Sequence, residues 1–443
     1  MSVITRLHRL TGENAPEKKP GTDHGRDRDR TMNGLRRRVE AIMSRRPAGR
    51  PAAPVRDRLF DESDARDLAE VIRGEVVRND HGSCFVVDDS LEESVRHGAL
   101  SVADMRGVDM KQIALLAHDD SLADMDPAGA LFLDTETTGL AGGTGTTAFL
   151  IGLGWFEGSS LVTRQIFLRD FDEEGAALAE LSRALRKRSF LVTFNGKAFD
   201  VGLLVTRCIM NRRENPFEGI PHLDLLFPSR RLLGHRLENC RLCTLEEQVL
   251  DLRRSGDIPG FEIPGRYFEW LRRRDGRLME DVFEHNRVDV VSMAALSAHL
   301  ADIVREDPRN RRTVHEDLLA AARLRLDRGD PAGGRRILEH LLGEESGETT
   351  LEAARALSLI HRRAGNWREA RALWEQILAE QPGDLFALQE LAKWYEHHAR
   401  DYEQALDLVE RALAETTGLN PLRRQSLVHR RKRLLRRSGA ATT

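Results

Sequence analysis

An apolar run that ends on two carboxylates, Leu131-Phe132-Leu133-Asp134-Thr135-Glu136, constrains the fold more than any other stretch of this chain. Followed by Thr137-Thr138-Gly139, it reads as a buried strand reaching the end of its sheet. Alternate residues of a strand share a face, so Asp134 and Glu136 present two carboxylates side by side. Such a pair repels itself unless a cation sits between, and its oxygen donors suit Mg²⁺ or Mn²⁺. Two such ions, about 3.5–4 Å apart, can activate water and stabilise a departing oxygen at phosphorus.

Further acids stand in contexts that extend this hint. Leu191-Val192-Thr193-Phe194 reads as a second buried strand, and Asn195-Gly196-Lys197-Ala198-Phe199-Asp200 as a glycine turn leading into a helix that begins near Asp200. Downstream, Glu284-His285-Asn286-Arg287-Val288-Asp289 opens a helix with His285 and Asp289 four residues apart, hence on one face. The count reaches four carboxylates and one imidazole. Imidazole changes protonation near neutral pH, which suits it to take a proton from an attacking water.

The ordered set Asp134-x-Glu136, Asn195-x-x-x-Phe199-Asp200 and His285-x-x-x-Asp289 resembles the DEDD superfamily of 3′→5′ exonucleases on the ribonuclease H fold. Within that superfamily the chain is similar to the YprB-like family. The likeness runs through Leu133-Asp134-Thr135-Glu136-Thr137-Thr138-Gly139-Leu140, Gly142-Gly143-Thr144-Gly145-Thr146, Phe194-Asn195-Gly196-Lys197-x-Phe199-Asp200, His222-Leu223-Asp224-Leu225-Leu226, Asp257-Ile258-Pro259-Gly260 and His285-Asn286-x-x-Asp289. It covers roughly residues 70–305. The resemblance implies that Asp134, Glu136, Asp200 and Asp289 hold two Mg²⁺ or Mn²⁺ ions and that His285 acts as the base. It also implies that Thr137, Thr138 and Leu140 line the pocket for a terminal nucleotide, while Asn195 and Lys197 hold its backbone. One detail departs from the superfamily, where the residue four before the last Asp is tyrosine and the usual histidine stands five before. A four-residue step keeps His285 close over Asp289 on the helix face. Asp224 is a rival carboxylate for which a structural hydrogen-bonding role is expected.

The expected architecture is an α/β ribonuclease H-like domain followed by an all-α tetratricopeptide-like domain. Residues 1–60 read as a disordered basic segment, 61–125 as an α+β lead-in, and 126–307 as the nuclease domain. Strands are expected near 130–136, 147–156, 161–169, 190–194 and 221–226, with helices over 173–188 and 198–212. The glycine-rich stretch 141–147 lacks the lysine of a phosphate-binding loop and reads as a hairpin. From 313 to 420 the turn signals Gly329-Asp330, Gly365-Asn366 and Arg400-Asp401 recur at spacings of 36 and 35, close to a tetratricopeptide period. Gly334 stands where such a repeat usually has alanine. Such arrays carry their own core, so truncation near Asp307 is expected to leave a compact nuclease.

A net charge of −3 conceals a strong asymmetry. Residues 1–60 carry 15 Lys/Arg against 7 Asp/Glu, and the 421–443 tail carries 8 Lys/Arg with no acid. Basic ends on an acidic body offer a route for a phosphate chain, although solvated tails explain them equally well. No apolar run is long enough to span a bilayer, and neither a signal peptide nor a disulfide framework is evident, so a cytoplasmic, membrane-free address is expected. The resulting reading is a metal-dependent 3′→5′ exonuclease on nucleic acid, RNA or DNA, acting at a single-stranded 3′ end, with repeats that contact a protein partner. Its alternatives are a non-catalytic nucleic-acid-binding adaptor and a structure-selective endonuclease.

Overall fold

The computed structural model describes residues 65–139, 145–305, 314–343, 347–415 and 421–438. The basic segment 1–60, Leu140 and most of the glycine-rich stretch lie outside these residues. A short helix α1 (Leu68–Val71) leads into β1 (Glu75–Asn79) and β2 (Gly82–Leu91), followed by the small ladder β3 (Arg96–His97) and β4 (Leu100–Ser101). Helices α2 (Val102–Arg106) and α3 (Met110–Ala117) then deliver the chain to β5 (Ala130–Thr137), β6 (Ala148–Glu157) and β7 (Ser160–Phe167). Next come α4 (Glu174–Leu185), β8 (Phe190–Thr193), α5 (Asp200–Met210) and β9 (His222–Asp224). Four helices close this part: α6 (Leu226–Leu233), α7 (Leu242–Gln248), α8 (Ile263–Arg273) and the long α9 (Glu280–Ile303).

The seven-stranded sheet has the order β1-β2-β7-β6-β5-β8-β9. β8 runs parallel to β5 and β9 parallel to β8, while the other neighbours are antiparallel. Three antiparallel strands followed by alternating helix and strand is the ribonuclease H-like arrangement, and the expected elements stand within a few residues of their places. The lead-in residues contribute β1 and β2 to this same sheet. β9 ends early because Asp224 turns the chain, its Oδ1 accepting from the Leu226 amide at 3.1 Å.

Pleating explains why the sheet is buried on both sides. Along β5, Ala130 and Phe132 enter one core with Val290 and Ala294 of α9, while Leu131 and Leu133 enter the opposite core with Leu181 of α4 and Tyr267 of α8. Asp134 and Glu136 continue the α9 face and Thr135 the other. Helix α9 comes close to β6 because that strand carries glycine at two facing positions. A Cβ on Gly154 would stand 2.5 Å from Val290 Cγ1, and one on Gly152 would stand 2.3 Å from Asn286 Oδ1.

The C-terminal region is all-α: α10 (His315–Asp327), α11 (Pro331–Leu342), α12 (Glu348–Arg363), α13 (Trp367–Glu380), α14 (Leu385–Trp394), α15 (Tyr402–Glu415) and α16 (Pro421–Arg437). Each expected turn is present, and its pivotal residue is left-handed: Gly329 at φ 82°, Gly365 at 78° and Arg400 at 56°. Gly334 also has a reason, since a Cβ there would meet Leu326 Cδ2 at 2.9 Å and the Ala322 carbonyl at 3.1 Å.

Two expectations about this region need correction. First, α10 is fused to the nuclease part. Leu318, Leu319 and Ala322 share one continuous core with Leu232 and Leu233 of α6 and with Leu300 and Ile303 of α9. Arg325, itself 4% exposed, donates to the Val304 carbonyl at 2.9 Å and to Gln112 Oε1 at 2.8 Å. Arg236 grips the buried Asp317 with two bonds of 2.8 Å. Second, residues 421–437 form a docked helix rather than a free basic tail. Leu427 and Leu434 are buried, and Arg430, Arg433 and Arg437 converge on the buried Glu396. Among the described residues no helix is long and apolar enough to cross a membrane.

Candidate active site

The carboxylates singled out in the sequence meet at the carboxyl end of β5. Asp134 and Glu136 lie on β5 itself, with a register shift at Glu136/Thr137 that bends the strand at the site. Asp200 is the first residue of α5 and comes from the opposite side of the sheet, where its Oδ1 accepts from the Thr135 hydroxyl. α9 supplies His285 and Asp289. His285 Nε2 stands 3.9 Å from Glu136 Oε1 and 3.8 Å from Asp289 Oδ2, so the four-residue step does bring the imidazole over Asp289.

Burial sets the electrostatics. Desolvation, together with the charges of Asp289 and Asp200, holds the Asp134 carboxyl well above the usual carboxylate range. Glu136 is raised likewise by burial and then by Asp134, Asp289 and Asp200. Burial raises Asp200 too, opposed by the hydrogen bond from Thr135, and it raises Asp289 although Arg254 and His285 pull the other way. Carboxylates this crowded resist ionising together, and a cation would relieve them.

The donor chemistry fits a hard divalent cation, since every candidate ligand offers carboxylate oxygen. Among the described residues these side chains do not already form a closed group of three or more ligands. Asp134 Oδ2 accepts from Asn286 Nδ2 at 2.8 Å, Asp200 is engaged by Thr135, and Asp289 is paired with Arg254. Each of these bonds engages one oxygen and orients the carboxylate without using up its acceptor sites.

The expected substrate residues are placed unevenly. The Thr137 hydroxyl donates to the Gly139 carbonyl at 3.1 Å, and the Thr138 hydroxyl accepts from the Thr147 amide at 3.0 Å, which folds this end of β5 against the start of β6. Leu140 is outside the described residues. Asn195 adopts φ 66°, and the buried Asp224 accepts from the backbone amides of Asn195 at 2.7 Å and Lys197 at 3.0 Å. Asp224 thus pins the turn that aims Asp200, the structural role expected of it. The Lys197 side chain is exposed beside that turn.

The comparison with known proteins decides the family. A family model of the RNase_H superfamily matches residues 131–301. YprB of Bacillus subtilis (strain 168), itself described as uncharacterized, is 30% identical over 358 residues, covering 80% of this chain and 86% of that protein. The chain belongs to the YprB-like family of the RNase_H superfamily. Its fold is therefore that of a nuclease-like protein, and membership points to hydrolysis of nucleic acid.

Several site residues of this family member escaped the sequence reading. Asn286, in sequence only the neighbour of His285 in its motif, is fully buried and bridges α9 to Asp134, with its Oδ1 accepting from Gln165 Nε2 at 2.9 Å. Glycines at 152 and 154 within a buried strand were the available signal for close helix approach. Arg254 gave none, because one arginine in a charged stretch looks like surface.

Proposed function

We propose that this chain is a metal-dependent 3′→5′ exonuclease that hydrolyses phosphodiester bonds of nucleic acid. The observation that carries the reading is the convergence of Asp134, Glu136, Asp200 and Asp289, from three separate elements, with His285 Nε2 facing two of them. Asp134, Glu136, Asp200 and Asp289 would hold two Mg²⁺ or Mn²⁺ ions. When bound, such ions supply positive charge to the oxygens at phosphorus. His285 Nε2 takes the proton of the attacking water, a P–O bond forms in line, and the bond to the leaving 3′ oxygen breaks.

Thr137, Thr138 and Leu140 would line the terminal nucleotide's pocket, with Asn195 and Lys197 at its backbone. Two exposed phenylalanines favour an unpaired strand: Phe199, 57% exposed, precedes Asp200, and Phe261, 74% exposed, follows Asp257 by four residues. Aromatic faces stack on unpaired bases with little regard to sequence. The helical pairs 315–342, 348–380 and 385–415 would serve as tetratricopeptide-like repeats presenting a surface to a protein partner, in a cytoplasmic protein.

The experiment is incubation of the full chain with 3′- and 5′-labelled single- and double-stranded RNA and DNA plus Mn²⁺, with Asp134→Asn as control. Stepwise loss from the 3′ end is expected. Internal products would favour the structure-selective endonuclease, and binding without cleavage would favour the adaptor.

A further inference from the structure

Arg254 lies in the loop between α7 and α8, yet its side chain is only 13% exposed and its guanidinium faces four side chains of the site region. Its Nε and Nη2 grip the buried Glu246 of α7 at 2.7 and 2.5 Å. Nη2 also pairs with Asp289 Oδ1, while Nη1 donates to Asp257 Oδ2 at 3.2 Å. The other oxygen of Asp257 stands 2.8 Å from His285 Nδ1. Arg254 Nη1 approaches that same nitrogen only to 3.4 Å, so the shorter contact decides the tautomer: Nδ1 carries the hydrogen and gives it to Asp257. Nε2 is then the basic nitrogen, and it is the one facing Glu136 and Asp289.

The loop is built to hold this arrangement still. Leu250 and Ile258, on either side of Arg254, are buried. The Leu250 carbonyl accepts from the Ala99 amide at 2.7 Å, and the Leu252 amide donates to the Glu246 carbonyl at 2.8 Å. Adding Asp257 to a crowd of buried carboxylates would be unfavourable without a fixed positive charge beside it, and Arg254 is that charge.

We propose that Arg254, anchored on Glu246, is a positioning residue that sets His285 through Asp257 and fixes one oxygen of Asp289. The inference rests on the nuclease reading above, and it assigns work to Arg254 and Glu246, which the sequence motifs leave aside, and a role to the Asp257 of the Asp-Ile-Pro-Gly motif. The planar fork of arginine serves several acceptors at once, which the single ammonium of lysine cannot reproduce.

The test is a double-mutant cycle on hydrolysis of a labelled single-stranded oligonucleotide with Mn²⁺. Asp257→Ala, at a partly exposed position, is expected to lower kcat by about 10–100-fold with KM little changed, as orienting partners of a catalytic imidazole do. In a His285→Phe background the same substitution should cost nothing further. Arg254→Lys should fall between wild type and Arg254→Met in kcat, with Asp257→Ala serving as the readout if Arg254→Met fails to fold. Additive losses in the cycle would overturn the positioning role while leaving the nuclease reading intact. Absence of hydrolysis by the unsubstituted chain on every substrate would overturn both.

Discussion

Asn286 Nδ2 donates to Asp134 Oδ2 at 2.8 Å and so ties the helix of His285 and Asp289 to the strand of Asp134 and Glu136. Two distant segments of sequence become one site through that amide. It is held from behind by Gln165, whose Nε2 bonds both Asn286 Oδ1 at 2.9 Å and the Phe283 carbonyl at 2.8 Å. The amide fits only because Gly152 has no side chain.

Gly152→Ala should therefore harm the site more than its single added methyl suggests. The new Cβ would stand 2.3 Å from Asn286 Oδ1, and that buried amide is held by Gln165 and Asp134, so it cannot yield without breaking those bonds. We expect a stability loss of about 1–3 kcal/mol from overpacking. A fall in kcat of about 10–100-fold should accompany it as Asp134 loses its orienting partner. Urea unfolding together with single-turnover cleavage measures both, and an unchanged rate would show that Asn286 does not position Asp134.

Asp134→Asn should abolish hydrolysis while stabilising the metal-free protein. Asp134, Glu136, Asp200 and Asp289 all hold protons more tightly when folded than an ordinary carboxyl does. As pH rises above the ordinary range near about 4, the unfolded chain releases protons that the folded chain retains, so these groups subtract stability until they ionise in the fold as well. Removing one of them flattens that decline. Thermal melts in chelator from pH 5 to 8 should show the variant gaining on wild type as pH rises, while turnover with Mn²⁺ falls to background. A variant less stable than wild type at pH 8 would contradict the electrostatic account.

His285→Phe should lower kcat by about 10²–10⁴-fold with little effect on KM, as loss of a general base does. His285→Tyr should recover part of the rate, since tyrosine occupies this spacing elsewhere in the superfamily that the motifs resemble. Equal rates for wild type and His285→Phe between pH 6 and 9 would leave His285 as a packing residue.

How much of this was legible in the sequence depended on whether a signal was local. The strand Leu131–Leu133 and its terminal acids carry their meaning within a few residues, and β5 stands where the pattern put it. So do the repeat turns at Gly329, Gly365 and Arg400. Arg254 and Gln165 were not legible, because their partners Asp289 and Asn286 lie 35 and 121 residues away and only the fold brings them together. The docking of α10 was hidden for the same reason. Its apolar face reads like that of any repeat helix, and nothing in its spacing reveals that α6 and α9, rather than another repeat, cover it.

That docking reverses the expectation for a chain cut after Asp307. Removing the repeats would expose Leu232, Leu233, Leu300, Ile303 and Val304, each fully buried, and would strip Gln112 and the Val304 carbonyl of Arg325. At about 1.5–3 kcal/mol for each large apolar side chain returned to water, the loss approaches the roughly 5–15 kcal/mol that holds a whole domain together. We therefore expect residues 1–307 to be insoluble or to lack a cooperative melt, and to lose cleavage for that reason rather than through chemistry. Asp317→Ala in the full chain is the milder version. It leaves the Arg236 fork without its acceptor and should cost about 2 kcal/mol while leaving kcat unchanged, since this pair joins the segment after α6 to α10 and, among the described residues, makes no hydrogen bond to the carboxylate cluster. A soluble 1–307 fragment that melts within a few degrees of the full chain would show instead that the nuclease core closes without its helical partner.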